Sequence, residues 1–210
     1  SQTMGHILAA ALPRERIVDA EKVMADGAKP GQWFYSPKRQ LRAMAIKSEH
    51  APHIFGIKFL TGGYDQDLTE LPRSTFGWKE GQTLAWLVDL LDEQGRPVYR
   101  IHYQDSASTP PQGLPPVLND GKRVDVAVLC VGSWQQVPAY PQVLLKRLQP
   151  RLAILGHWED FFGNDPRQPQ GLRLQDIRGM VAATRANLPA DGEFKLPVPF
   201  AQIPLPPLQP

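Results

Sequence analysis

Short apolar runs that stop at a histidine or an aspartate constrain this chain more than any other feature. Three segments share the pattern: Ile46-Lys47-Ser48-Glu49-His50-Ala51-Pro52-His53, Ile101-His102-Tyr103-Gln104-Asp105-Ser106 and Leu152-Ala153-Ile154-Leu155-Gly156-His157-Trp158. Each reads as a strand that leaves a core and presents a polar side chain at its exit. Leu41 to Lys47 alternates with period two before reaching His50, as a strand feeding a site loop does. Imidazole and carboxylate together suit zinc and related metals.

The rest of the chain falls into short elements around these exits. Ser1-Gln2-Thr3 can cap a helix running to Leu12, where Pro13 ends it. Strands are expected at 16–19 and 32–35. Residues 61–82 are rich in Gly, Asp, Thr and Pro and read as a long loop. Thr83 to Leu91 and Val98 to Tyr103 flank Asp92-Glu93-Gln94-Gly95-Arg96-Pro97, a hairpin signal, and the second arm delivers Asp105. Four prolines between 106 and 121 exclude regular structure there. A buried strand at 124–131, a helix at 137–148, a strand at 151–155 and a helix at 174–188 follow. A β-rich first part followed by strand–helix–strand–helix predicts an α/β fold, with its site at one rim of the sheet. Residues 1–195 form the expected domain. Residues 196–210 carry six prolines and read as an extended tail, docked through its apolar residues.

Composition excludes several classes. Net charge is +2, and no Lys/Arg run stands out, so the footprint of a nucleic-acid binder is missing. No apolar stretch reaches the roughly 18 residues of a membrane span. These features predict a soluble protein and leave its compartment, cytoplasm or periplasm, open. The single cysteine, Cys130, lies within an apolar run and reads as a small buried hydrophobe. Ser106 and Ser133 have no evident base partner, which argues against a serine-hydrolase triad.

His50-Ala51-Pro52-His53, Tyr103-Gln104-Asp105-Ser106 and Leu155-Gly156-His157-Trp158-Glu159-Asp160-Phe161-Phe162, in that order, resemble the C-terminal part of a metallo-β-lactamase-fold hydrolase. The resemblance implies an αββα sandwich represented by its C-terminal portion. It also implies two zinc ions, with manganese or iron as alternatives. His50 would be a ligand of the first metal, Asp105 the bridge and His157 a ligand of the second. His53 and Asp160 are alternative ligands or orient one. Trp134, Trp158, Phe161 and Phe162 are either core residues or walls of a substrate pocket.

Such an enzyme is a metal-dependent hydrolase. A metal-bound hydroxide attacks an ester, lactone, amide or related bond of a small molecule, and two ions about 3.5–4 Å apart stabilise the developing charge. The family's His-x-His-x-Asp-His motif does not occur in the 210 residues. Ser1 to His6 resembles a point after that motif. The remaining ligands are therefore expected from an N-terminal segment or a second chain. The alternative expectation is a non-catalytic domain of the same fold that assembles with a partner polypeptide.

Overall fold

The computed structural model describes residues 1–27, 29–53, 56–160, 163 and 165–208. Its centre is one seven-stranded sheet whose spatial order follows the chain. The strands are β1 (Trp33–Tyr35), β2 (Leu41–Lys47), β3 (Leu84–Leu91), β4 (Pro97–Gln104), β5 (Val126–Cys130), β6 (Leu152–Gly156) and β7 (Glu193–Lys195). β1 to β4 form an antiparallel meander, and β4 to β7 run parallel. The parallel half needs crossovers. Helix α2 (Gln142–Leu148) joins β5 to β6, and α3 (Ile177–Asn187) joins β6 to β7. A third helix, α1 (Gln2–Leu8), is capped by Ser1, whose hydroxyl accepts the Met4 N–H. The protein is thus mixed α/β, as its pattern of elements predicts.

A transverse row of the sheet shows how the core is built. Trp33, Met44, Leu87, His102, Ala127, Ala153 and Phe194 stand side by side on successive strands. Their side chains share one face because strand side chains alternate. Leu144, Leu145 and Leu148 of α2 and Met180 of α3 close over that face in one apolar cluster. The small Ala127 and Ala153 sit in the central row, where the helices pack on the parallel strands. The opposite face carries a smaller cluster of Tyr99, Val126 and Leu152, with Ile101, Val128 and Ile154 around it. Ile203 of the tail packs there, and the Arg151 guanidinium donates to the Pro207 carbonyl at 2.7 Å. The tail has no regular secondary structure, and although Ile203 packs, Val198, Phe200, Leu205 and Leu208 are each more than half exposed.

Several expected boundaries move. Residues 16–19 are not a strand: a 3-10 turn covers Arg14–Arg16, no neighbour pairs with the segment, and Val18 is 65% exposed. α1 ends at Leu8, four residues early, and turns follow it to 12. α2 begins at Gln142 and not at 137, because Pro138 and Pro141 interrupt the apolar pattern before it. α3 begins at Ile177, where the Asp176 carboxylate caps it by accepting the Gly179 N–H at 2.8 Å. β7 is too short and polar to show period two, and only its neighbour β6 makes it a strand. Among the described residues no helix is long and apolar enough to cross a membrane.

The topology sets the site. β2 is antiparallel to β3, which is antiparallel to β4, so β2 points the same way as β4, β5 and β6. The carboxyl ends of these four strands meet on one rim, where open α/β sheets bind ligands.

Candidate functional site

Four strand exits supply one cleft of about 610 Å³. His50 and His53 follow β2, Asp105 follows β4, Gly132 and Ser133 follow β5, and His157 follows β6. The sequence-predicted ligands His50, Asp105 and His157 therefore all line it, and so does His53.

The loops that carry them are tied together by hydrogen bonds. The Ser106 hydroxyl accepts the Ala51 N–H at 2.8 Å, joining the β4 exit to the β2 exit. The Gln82 amide donates to the Ser48 carbonyl at 2.7 Å, and the Gly113 N–H donates to the Lys47 carbonyl at 2.8 Å. Buried backbone groups after β2 are thus satisfied without a sheet ladder. Ser106 is committed to this structural bond, in keeping with its lack of a base partner.

His50 and His53 stack with ring centroids 4.5 Å apart, but their tautomers differ. His50 Nδ1 lies 2.7 Å from the Ala51 carbonyl, which only accepts, so Nδ1 carries a proton and neutral His50 presents a lone pair at Nε2. His53 Nδ1 accepts the Phe59 N–H at 3.1 Å, so neutral His53 carries its proton on Nε2. Burial, followed by the neighbouring His50, lowers the His53 pKa and favours that neutral form. His50 is oriented as metal-binding histidines are, with one nitrogen held by a carbonyl and the other open. His53 is not.

Asp105 and His157 are already paired. Asp105 Oδ1 lies 3.7 Å from His157 Nδ1. The carboxylate raises the His157 pKa against the opposing effect of burial. His157 has φ 57°, a left-handed conformation that histidine tolerates better than bulky residues. Gly132 makes room for it: a Cβ there would sit 2.9 Å from His157 Cδ2. Ser133 is also left-handed, with φ 57°, and its N–H donates to Gln175 Oε1 at 2.6 Å.

Cys130 borders the cleft, but burial pushes its thiol up to about 12. It remains protonated at neutral pH and is neither thiolate ligand nor nucleophile. His102 is fully buried beneath the site and donates from Nε2 to the Gly113 carbonyl at 3.0 Å.

Of the four aromatic residues considered from the sequence, Trp134 and Trp158 are described. Trp134 and Trp158 pack against the main core, and each anchors its indole N–H at 2.8 Å on a carbonyl, that of Asp176 and Pro197 respectively. Among the described residues lining the cleft, Phe59, Leu172 and Leu174 are the large apolar ones. The Asp160 carboxylate accepts the Gly163 N–H at 3.4 Å and does not line the cleft. Phe161 and Phe162 lie outside the described residues. Sequence reasoning missed Gly132 and residues 172–175. A glycine closing the apolar run 126–131 was a readable signal for the first, whereas nothing local marked the second.

Among the described residues, no three His, Cys, Asp or Glu side chains converge into a group that could hold a metal ion. No family model, curated protein or solved structure matches the chain.

Proposed function

We propose that this cleft is one side of the active site of a metal-dependent hydrolase with a metallo-β-lactamase-like fold. One observation carries the reading: like-directed strands bring His50, Asp105 and His157 to one cleft, with Asp105 and His157 already paired. The donor set suits zinc first, with manganese or iron as alternatives. It fits in kind but falls short in number, since the three side chains form no closed group. The remaining donors would come from a further N-terminal segment or a second chain, with two ions in the complete site.

In this reading Asp105 orients His157, and the two side chains would be among the residues that hold a metal. His50 offers Nε2, held in place by the Ala51 carbonyl. A bound zinc would lower the pKa of its water to about 7. Phe59, Leu172 and Leu174 would hold the apolar part of a small substrate. No serine or cysteine of this chain is needed as a nucleophile.

The test is Asp105→Ala in the complete enzyme. Metal-dependent ester or lactone hydrolysis should fall at least a hundredfold, and turnover at the wild-type rate would overturn the proposal. A second reading is a non-catalytic domain of this fold that assembles with a partner polypeptide. The exposed part of the far sheet face favours it, since Leu41, Leu90 and Tyr103 are each about 40% exposed there. A tight partner lacking His-x-His-x-Asp-His would select that reading.

A further inference from the structure

Among the described residues lining the cleft Arg173 is the only lysine or arginine, and among the described residues it makes no hydrogen bond or ion pair. Its setting is fixed on both sides. The Leu172 N–H donates to the Trp158 carbonyl at 2.9 Å. The Leu174 carbonyl accepts from the Gln135 amide at 2.8 Å, and the Gln175 side chain accepts the Ser133 N–H at 2.6 Å. Asp176, the nearest carboxylate in sequence, is committed to the cap of α3. The chain thus spends several hydrogen bonds on holding a segment whose one charged side chain has no partner. Leu172 and Leu174 flank it, and Phe59 adds a further apolar surface. A volume of about 610 Å³ is in the range of pockets for small organic ligands.

We infer that the cleft selects small substrates that join an apolar body to a carboxylate, and that Arg173 receives the carboxylate. This rests on the reading of the cleft as a substrate site and adds the class of molecule it takes. A guanidinium binds a carboxylate through two parallel N–H donors, a geometry that lysine does not reproduce. A neutral analogue leaves the guanidinium without that pairing, so discrimination should appear as binding strength.

The test uses two fluorescent probes of equal shape, 2-naphthoate and 2-naphthamide, titrated into the full chain at pH 8. Chelator is present, so that no metal can capture the carboxylate. Naphthoate should bind about tenfold more tightly than naphthamide, as expected for a charge-assisted pair in a partly open site. Arg173→Gln should erase the preference, and Arg173→Lys should retain part of it. Equal binding of the two probes, or a preference unchanged in Arg173→Gln, would overturn the inference. The zinc-dependent hydrolysis assay on Asp105→Ala is independent of this one, so failure of the hydrolase reading would show there while the binding preference stood.

Discussion

At the scale of single residues, protonation decides what the site can do. His50 and His53 are three residues apart and stacked, yet only His50 presents an open lone pair at Nε2. The resemblance favours His50 without a physical reason; the carbonyl of Ala51 supplies one.

His102 makes a separate, testable case. Burial lowers its pKa to about 4, against an ordinary 6.5. The unfolded chain therefore binds a proton between those values that the folded chain refuses. Stability is complete above pH 6.5 and should fall as pH drops toward 4, by on the order of 3 kcal/mol. Urea unfolding between pH 4 and 7 reads this directly. His102→Gln keeps a donor for Gly113 and should flatten the slope; an unchanged slope would place its origin elsewhere.

Gly132 gives a third residue-scale expectation. Gly132→Ala would drive a methyl into His157 and should weaken zinc binding tenfold or more while the fold persists. Gly156→Ala is the control, since a Cβ there meets nothing within 4 Å. Equal zinc affinity in the two variants would remove the steric argument. The His and Asp exits were legible because strand periodicity points at them. The Gly132–His157 contact was not, since it joins two strands 25 residues apart.

At the scale of elements, the end of the sheet away from the site is held by charge. Arg42, Asp89 and Arg100 stand opposite one another on β2, β3 and β4. Asp89 is fully buried and accepts two bonds from Arg100, at 2.7 and 2.8 Å, and one from Arg42 at 2.9 Å. Arg100 also reaches Asp120 at 3.0 and 2.7 Å. Arg42 lies over the Trp33 ring, with its guanidinium carbon 4.1 Å from the centroid. Breaking such a network leaves a buried charge underpaired, so Arg100→Ala should cost about 3–5 kcal/mol in urea unfolding. A loss under 1 kcal/mol would mean that Arg42 and water compensate. None of this was readable beforehand, because the register of three strands decides which charges meet.

The tail shows the opposite case. Its proline density excludes helix and strand, and its apolar residues suggest docking. Ile203, the Pro197 carbonyl and the Pro207 carbonyl hold it, whereas its other large apolar residues from Val198 to Leu208 stay more than half exposed. Truncation after residue 196 should cost about 2 kcal/mol, from one partly buried side chain and two hydrogen bonds, and should raise binding of a hydrophobic dye. No change in either quantity would show the tail to be dispensable.

At the scale of the whole molecule, function follows from strand direction. Four strands point to one rim, and every candidate ligand sits just beyond a strand end. The alternation of strand and helix made the α/β class and the rim legible in the sequence. The far wall was not legible: residues 172–175 reach the cleft only through hydrogen bonds to the β5 exit, a contact without any local pattern. The sheet's far face is apolar and only partly covered by the tail.

Zinc binding is the most direct test of the central claim, that Asp105, His157 and His50 form one metal-binding edge. Equilibrium dialysis of the full chain against zinc at pH 7.5, followed by plasma mass spectrometry, gives stoichiometry and affinity together. The account predicts at least one bound equivalent, with affinity reduced tenfold or more in each of Asp105→Ala, His157→Ala and His50→Ala, and little changed in His6→Ala. Absence of bound zinc, or zinc retained equally in all four variants, would contradict it.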